Sequence, residues 1–294
     1  MKRITVLMPV CNAAPYIKEA VQSILSQSYT AFELLIIDDG STDGTLDKIK
    51  RFTDPRIRLI AHPANFGLVS SLNEGIELSA SEYIARMDGD DIALPNRLER
   101  QIAYMDANPD VGVCGSQAHY LGTDSVTTKP LEHEQIRCWQ LFHCTFIHPS
   151  VMIRRSVLDA CGIRYLPYPH AEDYEIWNRL GDVTRLVNLP DVLMRYRLHP
   201  NQVSNKYNAL QEATAEQIRR QQLGRLGLVP TPEEYALHLD FVHYRIRVHE
   251  PSHYNRALAW ANKILEANRV TPRYDQGTLN TVLSQCFYYS EMLS

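Results

Sequence analysis

The sequence is poor in the short motifs that assign a chemistry at sight. Its six cysteines, Cys11, Cys114, Cys138, Cys144, Cys161 and Cys286, form no Cys-x-x-Cys pair, which excludes zinc-ribbon and thioredoxin spacing. No G-x-x-x-x-G-K-S/T string occurs, against a P-loop nucleotidase. No G-x-G-x-x-G follows an apolar run, against a standard dinucleotide fold. The histidines lack HExxH-like spacing. No stretch approaches the ~20 apolar residues of a spanning helix. Met1-Lys2-Arg3 leads into only a seven-residue apolar run, Ile4 to Val10, so no signal peptide is expected. Excess charge is missing too. Thirty Lys+Arg against 34 Asp+Glu leave −4, whereas a general polyanion binder is basic, so nucleic acid is not an expected partner. These absences point to a cytoplasmic chain with reduced thiols.

What is present is ordinary globular composition: 294 residues, 45% hydrophobic and 22% charged. At roughly 100–200 residues per domain, this allows one large domain with an appendage, or two. Up to about residue 115, apolar runs alternate with helical stripes. Ile4–Val10, Leu34–Ile37, Arg56–Ala61 and Tyr83–Met87 read as strands. Ile17, Ala20, Val21, Ile24 and Leu25 repeat as the buried face of a helix does. The β-α-β-α-β-α-β succession implies a mostly parallel sheet covered on both faces, with ligands at the carboxyl ends of its strands. Farther on, Val111–Leu121 (bent at Gly115), Val151–Ile153 and Val192–Leu198 read as strands, and Asp173–Leu180 as a helix. After Pro200, helix formers dominate Asn208–Leu228 and Pro232–Asn268.

The polar strand ends carry the candidate chemistry. Asp88-Gly89-Asp90-Asp91 sets three carboxylates directly after an apolar run. Such a cluster either caps the next helix or holds a hard divalent cation; capping leaves two of the three carboxylates unexplained. Asp38-Asp39-Gly40-Ser41 reads as a capped turn or as carboxylates presented to a base or ribose. Glu172 and Asp173 suit a helix first turn as well as catalysis. Strand alternation puts Arg195, Arg197 and His199 on one face, as a phosphate or metal contact or a solvated edge.

Together the segments Val6–Asn12 with Tyr16, IIDDGSTDGT (Ile36–Thr45), NFGLVSSLNEGI (Asn65–Ile76), YIARMDGDD (Tyr83–Asp91), PNRLERQ (Pro95–Gln101), HPSVMIRRSVL (His148–Leu158), AEDYEIWNRL (Ala171–Leu180) and MRYRLH (Met194–His199) resemble glycosyltransferase family 2. The resemblance implies the A-type fold, a Rossmann-like, mostly parallel α/β sheet with a C-terminal helical appendage. Residues 1–204 would be catalytic, divided into a nucleotide-binding half to 115 and an acceptor half from 116, and 205–294 helical. It also implies an inverting transferase using a nucleotide-sugar donor, a UDP-sugar above others, with Mn²⁺ or Mg²⁺, on a glycan or lipid-linked acceptor in surface-glycan synthesis. By the same resemblance Pro9, Val10, Asn12, Asp38, Asp39, Asn65, Arg86, Asp88 and Gly89 would contact the nucleotide. Asp88, Asp90 and His199 would hold the metal, with Arg197 beside the diphosphate and Asp91 supporting the loop. Asp173, paired with Glu172, would be the general base.

Departures narrow the expectation. The Q-x-x-R-W string of processive synthases is absent, which favours single-sugar addition. Leu72 stands where many members carry Arg, with Arg86 a substitute. Tyr165, Tyr168 and Tyr174 flank the base, as core packing or as sugar platforms. Arg219, Arg220 and Arg225 beside Ile218, Leu223 and Leu226 suggest either peripheral contact with the inner face of a membrane or a solvated or dimer-forming helix. A nucleotide- or glycan-binding scaffold and a sugar-nucleotide nucleotidyltransferase are the alternatives.

Overall fold

A computed structural model describes residues 2–199 and 207–293. The expected alternation is present as β1 (Ile4–Val10), α1 (Ile17–Leu25), β2 (Phe32–Asp38), α2 (Thr45–Ile49), β3 (Ile57–Ala61), α3 (Leu68–Leu78) and β4 (Tyr83–Arg86). β1 pairs in parallel with β2 and β4, and β2 with β3. All seven residues of β1 are buried, because both faces of the sheet are covered. Side-chain alternation divides the core. Ile4, Val6 and Met8 of β1 join Ile17, Val21 and Ile24 of α1 on one face. Leu7 joins Leu72 and Ile76 of α3 on the other. There α3 lies so close that a Cβ on Gly75 would overlap the end of the Leu7 side chain.

Beyond β4 come β5 (Ile92–Ala93), α4 (Arg97–Ala107), β6 (Val111–Tyr120), α5 (His133–Trp139), β7 (Met152–Arg154), α6 (Arg155–Ala160), α7 (Glu172–Leu180) and β8 (Arg185–Tyr196). The strand order is β3-β2-β1-β4-β7-β6-β8-β5. β7 runs antiparallel to β4 and β6, β8 is parallel to β6, and β5 is antiparallel to β8. The sheet is thus parallel through its first four strands and mixed beyond them. β5 and β7, of two and three residues, are too short for periodicity to show their direction or partners. Arg97 locks the two halves together. Fully buried, it donates from Nη2 to Arg86 O at 2.7 Å and from Nε to Gln101 Oε1 at 3.1 Å. Gln101 in turn donates to Cys114 O and Ser150 O. Burial lowers the Arg97 pKa to about 9.

The chain continues as α8 (Asn208–Arg225), α9 (Pro232–Val242), α10 (Pro251–Val270) and α11 (Gln276–Leu293). The boundary expected at 204/205 lies outside the described residues. These helices enclose a second core that includes Leu223, Phe241, Trp260, Ile264 and Leu283, but also Cys138, Leu141 and Phe142 at α5. The helical region therefore shares its core with the sheet-bearing part. No described helix is long and apolar enough to cross a membrane. The apolar residues of the α8 segment expected to face lipid or solvent are used inward, while Arg220 stays exposed. Ile218, Leu223 and Leu226 are buried. Arg219 pairs with Glu212, Arg220 with Glu216 and Arg225 with Asp182.

Candidate active site

The carboxyl ends of β1, β2 and β4 open onto a cavity of about 980 Å³. Pro9, Val10, Asn12, Asp39, Asn65, Arg86, Asp88, Gly89, Asp90, Glu172, Asp173 and His199 all line it. Asp38 does not. It is buried beneath its own loop, where Oδ1 accepts the Ser41 N–H at 3.0 Å. The neighbouring carboxylate is the one at the cavity. Asp39 accepts the N–H groups of Phe66 and Gly67, both at 2.8 Å, and its Oδ1 lies 2.8 Å from His62 Nδ1. His62 Nε2 lies 2.7 Å from Glu74 Oε2. Carboxylates accept only, so a ring held between two of them carries both protons. The bonds to Asp39 and Glu74 accordingly raise the His62 pKa. Gly40 belongs to this loop for a steric reason: its φ is +69°, and a Cβ would collide with the Ala64 backbone. Asn12, at φ +54°, accepts the Thr42 N–H at 2.9 Å, so its side chain braces the loop.

After β4, Asp88, Asp90 and Asp91 bring carboxylate oxygens within 4.8 Å of one another. Burial raises the Asp88 pKa, and burial with the charges of Asp88 and Asp90 drives Asp91 well above the usual carboxylate range. Asp91 Oδ1 accepts the Arg197 N–H at 2.8 Å, while its buried Oδ2 has no partner among the described residues. A cluster of like charges with an orphaned oxygen fits a hard divalent cation, which takes oxygen ligands. Asp91 thus both supports the loop, as expected, and joins Asp88 and Asp90 as a candidate ligand. His199 Nε2 lies 2.9 Å from Asp90 Oδ2. Arg86 is buried against Asp88, with which it pairs.

The expected strand face of Arg195, Arg197 and His199 is not formed, because β8 ends at Tyr196. Arg195 is exposed and away from the cavity. Arg197 braces the loop instead, donating from Nε to Asp90 O at 2.8 Å and from Nη2 to Glu19 at 2.6 Å. Its guanidinium lies 4.9 Å from the Tyr16 ring centroid.

At the same cavity, α7 begins with Glu172 and Asp173. Asp173 Oδ1 accepts the Tyr174 N–H at 2.7 Å, and Oδ2 accepts the Cys144 thiol at 3.3 Å. Burial raises the Asp173 pKa, and burial with the Asp173 charge pushes Glu172 up to about 7. Cys144 itself is raised well above 9 by burial and by Asp173, so it stays a protonated donor. Lys129 Nζ donates to Cys144 O at 2.9 Å. None of the three tyrosines flanking the base lines the cavity. Tyr174 donates to Gln140 O, Tyr165 meets His148, and Tyr168 meets Gln221. The rings at the cavity are those of Tyr16, Tyr120, Phe146, His170, Tyr196 and Tyr207, among others. Sequence reasoning misses His62, Lys129, Cys144 and Gln211. The β6–β7 excursion and the start of α8 bring the last three to the site, and no local motif marks them.

Comparison with known proteins identifies the family. The family model for glycosyl transferase family 2 matches residues 5–162. An uncharacterized glycosyltransferase of Haemophilus influenzae is 34% identical over 236 residues, 75% of this chain and 73% of that protein. The UDP-Glc:alpha-D-GlcNAc-diphosphoundecaprenol beta-1,3-glucosyltransferase WfgD of Escherichia coli is 28% identical over 211 residues, 70% of this chain and 82% of its own. The mannosyltransferase PcManGT of Pyrobaculum calidifontis, solved with GDP-Man and Mn²⁺, superposes with a TM-score of 0.62 at 18% identity. That match covers 99% of this chain and 86% of that one, and shows a shared fold. With the family model spanning more than half of its length, the chain belongs to glycosyl transferase family 2 and is a glycosyltransferase.

Proposed function

We propose that this transferase moves a single sugar, with inversion, from a UDP-sugar to a hydroxyl of a glycan or lipid-linked acceptor, in surface-glycan synthesis on the cytoplasmic side of a membrane. The observation that carries the reading is one cavity lined at once by the strand-end carboxylates and by Asp173. The choice of UDP is supported by the E. coli relative, which acts on UDP-Glc and a diphosphoundecaprenol-linked sugar. The protein with GDP-Man shares only the fold. The lipid-linked acceptor supports a position at the membrane; the arginines of α8, each in an ion pair, do not.

In this reading Pro9, Val10, Asn12, Asp39 and Asn65 bound the nucleoside end of the cavity, with Asp38 holding the loop from below. Asp88, Asp90 and Asp91, with His199, would hold Mn²⁺ or Mg²⁺, which supplies Lewis-acid neutralisation of the departing diphosphate. Arg86 adds a fixed guanidinium to the same end. Asp173 takes the proton from the acceptor hydroxyl, and its raised pKa suits a base that must hold that proton. Glu172 adds negative charge beside it. The Cys144 thiol and the Tyr174 N–H fix the Asp173 carboxylate without neutralising it. Inversion is what the family resemblance implies, and attack of the acceptor hydroxyl from the face opposite the departing diphosphate would give it. The scaffold and nucleotidyltransferase alternatives give way to the family assignment.

Calorimetric titration with UDP, with and without Mn²⁺, tests the donor side. Wild type is expected to bind UDP tightly only with the metal, and Asp90→Ala to lose that dependence. Metal-independent binding, equal in the two proteins, would remove the cation from the reading.

A further inference from the structure

One wall of the cavity is made by two segments distant in sequence. Pro167-Tyr168-Pro169-His170 leads straight into α7, three residues ahead of Asp173. α8 begins beside it and holds it at several points. Gln211 Nε2 donates to His170 O at 2.8 Å. Gln221 Nε2 donates to the Tyr168 hydroxyl at 3.0 Å. Ala171 and Tyr174 pack with Ala215 and Ile218 in a small core of their own.

His170 sits at φ +62°, a left-handed conformation disfavoured by its Cβ. Such a backbone persists only where its surroundings over-determine it, and it commonly marks a functional constraint. The conformation turns the imidazole flat onto the Tyr207 ring, with centroids 4.4 Å apart and planes 12° from parallel. Burial lowers the His170 pKa, so the pair is a neutral aromatic stack near pH 7. Both rings and Gln211 line the cavity, and Tyr207 keeps 39% of its surface exposed. A broad apolar ring edged by polar groups is how proteins receive an amphipathic ligand in a concave site. A pyranose offers the match: an apolar C–H face and hydroxyls around its edge.

We infer that Tyr207, backed by His170 and positioned through Gln211, is an acceptor-saccharide platform, so that the C-terminal helical region selects which sugar meets the base. This rests on the transferase reading above and adds the acceptor class, a pyranoside stacked on Tyr207. Tyr207 is the binding residue; His170 and Gln211 act through it as positioning residues.

The test is saturation-transfer NMR on the full chain. The probes are the methyl β-glycosides of glucose, galactose and N-acetylglucosamine, each with and without UDP and Mn²⁺. At least one glycoside is expected to receive saturation on the C–H protons of one ring face. Tyr207→Phe should keep that signal, and Tyr207→Ala should weaken the affinity about five- to ten-fold, the loss expected for an aromatic contact. UDP affinity should be unchanged in both, with matching melting temperatures. Equal glycoside binding in Tyr207→Ala and wild type would overturn the platform, as would no saturation of any glycoside in wild type. Loss of UDP binding in wild type would instead count against the donor assignment, while the glycoside contrast would still decide the platform.

Discussion

The proposed donor side of the cavity is assembled mostly from residues at or just past the ends of strands, whereas the proposed acceptor side draws on Lys129, Cys144, Asp173, Tyr207 and Gln211 from separate elements. On the donor side the sheet does the positioning. Parallel β1, β2 and β4 end at one edge, so each tail arrives with its strand. On the acceptor side no single element fixes the geometry. Asp173 is held by a thiol from one loop, and its approach segment is held by a helix that begins after residue 206. A strand end can be read locally; a wall made by packing cannot.

The largest expected effect tests whether the two sides separate. Asp173→Asn keeps the size of the side chain and an oxygen for the Tyr174 N–H but cannot accept a proton. Transfer should fall about 10²- to 10⁴-fold, the usual contribution of a positioned base. UDP affinity by calorimetry should stay within about two-fold, as expected for a group acting only in the transition state. If UDP binding fell with transfer, the two sides would be one unit. The complementary change is Asp91→Asn. It keeps an acceptor for the Arg197 N–H but removes a carboxylate from the acidic cluster. Mn²⁺-dependent UDP affinity should drop about 10- to 100-fold, as disturbed metal sites do, with glycoside contacts untouched.

Next in size is a paired comparison of glycines. Gly75→Ala on α3 would drive a methyl into the Leu7 side chain, and overpacking of this kind costs about 1–3 kcal/mol. A methyl on Gly224 of α8 would meet nothing within 4 Å, so Gly224→Ala should raise stability by about 0.4–1 kcal/mol. Thermal unfolding of both variants measures the contrast directly. Equal shifts would mean that the sheet side is no more tightly packed than the helical side.

The same contrast explains what is legible in the sequence. β1, β2 and β4 are visible because they are buried, largely apolar runs, and Asp88 and Asp90 because charge beside such a run is conspicuous, whereas Asp173 is marked by the family resemblance and not by its surroundings. β5 and β7 are not, since two or three residues carry no period. Asp38 and Asp39 cannot be told apart from adjacency alone. Which of them lines the cavity depends on the Gly40 turn and on Phe66 and Gly67, which supply donors to Asp39. His199 reads as the end of a strand face, yet it reaches Asp90 from a segment past the strand. Tyr165 and Tyr174 lie near the base in sequence, but core packing and hydrogen bonds claim them, and apart from His170 the cavity takes its rings from farther away.

The smallest expected effect belongs to the donor side alone. His62 binds Asp39 and Glu74 as an imidazolium, and its folded pKa is raised above the ordinary 6.5 or so. A raised folded pKa gives a contribution that is complete below the unfolded value and lost as pH climbs through the folded one. Deprotonation removes one of the two N–H bonds and loosens the hold on Asp39, which organises Phe66 and Gly67 at the cavity edge. UDP affinity with Mg²⁺ should therefore weaken about two- to three-fold between pH 6 and pH 8.5, measured by calorimetry. His62→Gln, which has no proton to lose in that range, should flatten the dependence, and glycoside contacts should stay level in both proteins. A pH response that persists in His62→Gln, or that moves to the acceptor side, would place its origin in another group and would show that the two walls are coupled through charge, even though different elements build them.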